Sequence, residues 1–126
     1  MEKTALVTGA ANRIGRAIAR RLGSEGWNVA IHYFRSKEAA ESLVDEIRGC
    51  GSRAMPVRAD LGKPDQLNSV LPVVNDELGE VNCLINNAAI FERDEIKTLD
   101  GKSWHSHISV NLTAPLFLTQ AMAQGI

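Results

Sequence analysis

The 126-residue sequence predicts an α/β fold, a doubly wound parallel sheet, on three observations. Short β-rich apolar runs alternate with longer stretches of helical periodicity. The order strand, helix, strand, helix, strand, helix, strand implies parallel pairing through right-handed crossovers. A glycine-bearing turn follows the first run at once. A proline lies inside the third run, and proline cannot donate to a ladder, so that strand belongs at a sheet edge. An edge third strand is what the spatial order 3-2-1-4 requires.

The elements follow in chain order. Lys3 to Val7 reads as a buried strand ending at Thr8-Gly9. Ile14, Ile18 and Leu22 recur at helical spacing and predict the buried stripe of a first helix, with Gly23 and Gly26 as stop signals. Val29 to Phe34 is the second strand. Ser36 is placed to cap a helix carrying Ala40, Leu43, Val44 and Ile47, which Gly49 and Gly51 end. Arg53 to Ala59, with Pro56 inside it, is the third strand. Pro64 suits the first turn of a helix that buries Leu67, Val70, Leu71, Val74 and Leu78. Pro72 conflicts with that helix, since an interior proline costs about 3 kcal/mol or kinks the chain. Val81 to Ile85 is the fourth strand, broken by Asn86-Asn87. From about Ser103 a last helix runs to Ile126, bent or interrupted near Pro115.

Composition narrows the function classes. With 44% hydrophobic and 23% charged residues, positions 1–126 read as one globular domain. Fourteen basic against fifteen acidic side chains give a net charge of −1, without the electrostatic footprint of a nucleic-acid binder. No apolar run approaches the roughly 20 residues that cross a bilayer, and the chain opens on Glu2-Lys3 rather than a signal peptide. Cys50 and Cys83 form no CxxC and have no flanking histidines, which predicts reduced thiols, a cytoplasmic setting and no metal site. His105 and His107, two apart on a helix, point away from each other, and Trp104 reads as a packing anchor.

Thr8-Gly9-Ala10-Ala11-Asn12-Arg13-Ile14-Gly15 lies between the first strand and the first helix. Exposed amides at a positive helix end suit a pyrophosphate there. Gly9 permits the turn, and Gly15 lets the helix approach the strand closely. The strand before and the helix after supply the context that a dinucleotide site needs.

The spacing TGxxxGxG, together with NNAA at 86–89 and Asn111 in SVNLTAP, resembles the short-chain dehydrogenase/reductase family along the whole chain. That resemblance implies a Rossmann-type sheet, a nicotinamide cofactor, a small-molecule substrate and a homo-oligomer. Arg13 stands where the family has the middle glycine of the loop, and Ala89 where it has the last glycine of NNAG.

At the end of the second strand an NAD site needs a carboxylate for the ribose hydroxyls. The sequence has His32-Tyr33-Phe34-Arg35-Ser36, with no acid before Glu38. Arg35 and the Ser36 hydroxyl suit a 2′-phosphate, with Arg13 as a second guanidinium, so NADPH is expected in preference to NADH. By itself Arg35 reads more safely as a solvated loop charge, and it is the combination with Arg13 and a missing acid that turns the reading to a phosphate. The loop arginine and the HYxRS segment, with Tyr33 in it, are similar to the pteridine reductase branch. The resemblance also implies that Asp60 and Leu61 contact the adenine, while Ile14, Asn87 and Ala88 border the cofactor. Phe91 falls where that branch has an aromatic stacked on the pterin; the other reading is a core plug.

Family catalysis uses a serine, a tyrosine with a lysine four residues on, and an asparagine that bends its helix and holds a water of the proton relay. Asn111 matches the asparagine. Tyr33 and Lys37 have the YxxxK spacing but lie on the adenosine side, and no Ser, Tyr or Lys follows Asn111. The expected function is therefore NADPH-dependent reduction of a carbonyl or pterin-like substrate, with this chain as the cofactor-binding first part. The alternative is a catalytically inactive dinucleotide-binding fragment or half-enzyme. On either reading the fourth strand becomes an open apolar edge.

Overall fold

A computed structural model describes residues 2–125. The elements are β1 (Thr4–Val7), α1 (Arg13–Ser24), β2 (Asn28–Tyr33), α2 (Lys37–Gly49), β3 (Ala54–Arg58), α3 (Pro64–Leu78), β4 (Cys83–Ile85), α4 (Gly101–Ile108), a π-helical turn (Ser109–Thr113) and α5 (Ala114–Gln124). All pairings are parallel and the strand order is β3-β2-β1-β4, as predicted. Pro56 pairs in register with Ile31 on edge strand β3, where one side of the strand has no ladder to feed.

Alternation along the strands divides the core in two. Leu6, Ala30, Met55 and Val57 pack with Leu67, Val70, Leu71, Val74 and Leu78 of α3 and Ala114 and Leu118 of α5. Val7, Val29 and Ile31 point the other way, into Ala19 of α1 and Ala40, Leu43, Val44 and Ile47 of α2. Helices therefore cover both faces, which is why the central strands are apolar throughout. β4 closes the other edge, and its three residues are only half-buried.

Five local expectations are corrected. The buried stripe of α1 is Gly15, Ala19 and Gly23, with Ile18 and Leu22 half-buried and Ile14 70% exposed. The helix lies too close to its neighbours for branched side chains: a Cβ on Gly23 would sit 2.7 Å from Ile47 Cγ2. Gly23 is thus a packing residue, and the turn comes at Gly26, whose φ is +93°. Ser36 does stand at the start of α2, but its hydroxyl makes no cap; it accepts a hydrogen bond from Asn12 Nδ2 at 2.9 Å. The break in the last helix comes at the π-helical turn rather than at Pro115, which sits in the first turn of α5. Pro115 has no N–H for the carbonyl of residue 111 and its ring crowds that carbonyl, so the widening falls just ahead of it. Trp104 is no anchor, being 57% exposed.

Pro72 remains inside a continuous α3. Residues 68 and 72 both lie on the exposed face, so the carbonyl left without its helical partner faces solvent.

Candidate functional site

A cleft of about 950 Å³ opens at the carboxyl ends of the strands. It spans the point where the chain turns from one half of the sheet to the other, between β1 and β4, as a doubly wound sheet requires. Each strand delivers a short segment to it.

From β1 come Gly9, Asn12, Arg13 and Ile14. Gly9 has φ +61°, and a Cβ there would lie 2.9 Å from Ala88 Cα. Gly15 is tighter still, since its Cβ would lie 2.4 Å from both Gly9 O and Asn87 Nδ2. Both glycines are demanded by close approach. The amides of Asn12, Arg13 and Ile14 have no acceptor among the described residues, and they stand at the positive end of the twelve-residue α1. Arg13 alone among the described non-glycine residues has a positive φ, +56°. That left-handed backbone favours glycine, and it costs a side chain roughly 1–2 kcal/mol.

From β2 come His32, Phe34 and Arg35. Tyr33, expected at the cofactor, points away: it is buried in the α1–α2 half of the core, and Phe34 is the aromatic that borders the cleft. Strand alternation is the reason, because the residue before a cleft-facing one must face the opposite layer. The Phe34 ring lies 5.2 Å from the Arg35 guanidinium and 5.1 Å from that of Arg58, which holds positive charge at this rim. No carboxylate precedes Glu38 in this segment.

From β3 come Asp60, Leu61, Gly62 and Lys63. Asp60 Oδ1 accepts from Gly62 N–H at 2.9 Å, a local turn that fixes its carboxylate. From β4 come Asn87, Ala88, Ala89 and Ile90. Here Thr8, buried at the end of β1, is the hub: its hydroxyl accepts from the amides of Asn87 at 3.0 Å and Ala88 at 2.9 Å. Asn87 Nδ2 returns the favour, donating to the carbonyls of Thr8 and Gly9, each at 3.1 Å. The β1 and β4 turns are thus one hydrogen-bonded unit.

Asn111 sits in the π-helical turn and grips the chain beyond β4 at two points. Its Oδ1 accepts from Ile90 N–H at 2.8 Å and its Nδ2 donates to Ile90 O at 2.9 Å. Its side chain is therefore spent on backbone, and its effect on the cleft runs through Ile90 and the widened turn. His107 adds a third point by accepting from Glu92 N–H at 3.0 Å, while His105 lines the cleft itself, so the two histidines do diverge. No group of three metal-capable side chains gathers among the described residues. Between Ile90 and Glu92, Phe91 is 88% exposed, which overturns its reading as a core plug.

Of the residues singled out from sequence, Gly9, Arg13, Ile14, Arg35, Asp60, Leu61, Asn87 and Ala88 border the cleft. Gly15, Ser36 and Asn111 support it from behind. Thr8, His32 and Phe34 join the site from outside that set, and for His32 the signal is a histidine inside an apolar strand.

The described residues contain no helix long and apolar enough to cross a membrane. The family model for short chain dehydrogenases matches residues 3–126, and the chain belongs to that family. It is 38% identical over 112 residues to 3-oxoacyl-[acyl-carrier-protein] reductase FabG of Staphylococcus epidermidis, covering 89% of this chain and 46% of that protein. It is similar to FolM alternative dihydrofolate reductase 1 from Brucella canis complexed with NADP (TM-score 0.92, 36% identity, 97% of this chain and 49% of that one). Landomycin C-6 ketoreductase LanV with bound NADP and rabelomycin is another similar structure (TM-score 0.88, 34% identity, 97% of this chain and 52% of that one). The chain spans about half the length of the relatives it matches.

Proposed function

We propose that the protein is an NADPH-dependent reductase that delivers hydride to a carbonyl or pterin-like substrate. One observation carries this reading: three unbonded amides at the start of α1 share a cleft with Arg13 and Arg35, and no carboxylate stands at the end of β2. Such a site fits a dinucleotide with an extra phosphate and disfavours one without it. The NADP bound in several similar structures supports the same choice.

On this reading the amides of Asn12, Arg13 and Ile14 receive the pyrophosphate, and Arg13 and Arg35 clamp the 2′-phosphate. The Ser36 oxygen already accepts from Asn12, so its own O–H can be given to the same phosphate. Asp60 and Leu61 border the adenine, and Asn87 and Ala88 the ribose and nicotinamide. Asn111 acts as a positioning residue, holding Ile90 and opening the turn for a proton relay. The bound coenzyme supplies the hydride. The exposed Phe91 ring, between two cleft residues, supports a flat heterocyclic substrate, as does the likeness to the alternative dihydrofolate reductase.

Fluorescence titration with both coenzymes tests this reading. NADPH should bind more tightly than NADH, and Arg35→Asp should weaken NADPH by about tenfold or more while sparing NADH. An unchanged ratio would remove Arg35 from the 2′-phosphate. NADPH binding without turnover on carbonyl or pterin substrates would favour a binding-only role.

A further inference from the structure

His32 is the one buried histidine among the described residues, and it borders the cleft from the middle of the sheet. Both ring nitrogens are used. Nδ1 lies 2.9 Å from Gly9 N, and an amide can only donate, so Nδ1 carries no proton. Nε2 lies 2.9 Å from Ala59 O, and a carbonyl can only accept, so Nε2 carries one. The surroundings thus select a single neutral tautomer. The His32 carbonyl also accepts from Ala10 N–H at 2.9 Å. One residue of β2 therefore takes two successive amides of the β1 turn and, through the ring, the end of β3.

The consequence lies in the amides it does not take. With Gly9 and Ala10 turned inward onto His32, the amides of Asn12, Arg13 and Ile14 farther along the loop keep no acceptor among the described residues, and those three residues border the cleft. Gly9 can accept this arrangement because its left-handed backbone costs it nothing.

We propose that His32 is a positioning residue for coenzyme binding, its Nδ1 setting the phosphate-binding turn through Gly9 while its Nε2 serves only the end of β3. This rests on the dinucleotide reading above. Arg13, Arg35, Asp60, Lys63, Glu92 and His105 share the cleft, yet it is burial that holds the imidazole below its ordinary range, with the Ala59 carbonyl opposing in part. The ring therefore stays an acceptor toward Gly9 at neutral pH.

Two near-isosteres separate the two bonds. His32→Asn puts an amide oxygen at the Nδ1 position and keeps an acceptor for Gly9. His32→Gln puts an amide N–H at the Nε2 position and keeps the donor for Ala59. Both lose one buried hydrogen bond, so both should melt lower by similar amounts. NADPH affinity should split them: H32N within about twofold of the parent, H32Q about tenfold weaker. Equal affinities, or affinity that simply follows melting temperature, would overturn the proposal and leave the dinucleotide reading intact. A parent protein that binds no NADPH would overturn both. If H32Q does not fold, ¹⁵N spectra of the unmodified protein decide instead. A proton on Nε2 and an Nδ1-bonded Gly9 amide at neutral pH are expected, and a proton on Nδ1 would refute the assignment.

Discussion

Arg13 occupies a backbone conformation that favours glycine. Left-handed strain in a non-glycine residue persists where the surrounding structure holds it, and here the residue borders the cleft for which we propose a dinucleotide. Arg13→Gly should therefore change two properties in opposite directions. Removing the strain raises folding stability by about 1 kcal/mol, less whatever the freer unfolded chain takes back. Loss of the guanidinium weakens NADPH by about tenfold. Urea melts and coenzyme titrations on the same sample measure both, and lower stability with unchanged affinity would take Arg13 out of the site. Arg13 and Arg35 were legible in the sequence because charge type and spacing carry their meaning. Tyr33 and Phe34 were not separable, since adjacent aromatics at a strand end differ only in which layer the pleat sends them to.

Among the elements, α1 departs most from its periodicity. Ile14, Ile18 and Leu22 form a helical stripe, yet the face turned to the sheet is Gly15-Ala19-Gly23. Small residues let the helix axis come near enough for Asn12 to reach Ser36 and for Arg16 to donate to the carbonyls of Ala11 at 3.0 Å and Ala39 at 2.8 Å. Gly23→Ala tests this packing against propensity. Alanine in a helix gains about 1 kcal/mol over glycine, but the added methyl falls 2.7 Å from Ile47 Cγ2, and overpacking costs about 1–3 kcal/mol. A net fall in melting temperature is expected; a rise would mean that α1 and α2 are free to separate. The π-helical turn was equally hidden. Pro115 marked a disturbance, but the widened turn at Ser109–Thr113 and the bonds it gives Asn111 to Ile90 are visible only in the fold.

For the molecule as a whole, the buried imidazole couples folding to pH. Burial lowers the His32 pKa in the folded protein from its ordinary 6.5, so the folded state binds the proton less readily than the unfolded chain. Stability from this residue is complete above that ordinary value and falls as pH drops through the lower, folded one. Protonation also ends the Gly9 bond, because the imidazolium has no acceptor. Denaturant melts from about pH 7 down to about pH 5 should show this loss, and the slope should flatten in His32→Asn, which has no titrating ring. An identical slope in that variant would assign the acid sensitivity to other groups.

By itself the sequence determined the sheet, its strand order, the glycine turn between β1 and α1 and the cationic rim. These depend on local pattern: apolar runs, a proline that cannot donate, glycines at a strand-to-helix turn, and an arginine at a strand end with no acid there before Glu38. Only the tertiary structure decided which side of α1 is buried, that Thr8 and Asn87 bind the β1 and β4 turns together, and that Asn111 spends its amide on Ile90. It also decided that His32 holds Gly9 and Ala59 at once, three positions far apart in the chain. Contacts of this kind have no period and no fixed spacing. They exist because parallel crossovers bring four strand ends to one side of the sheet, where buried donors and acceptors must find one another.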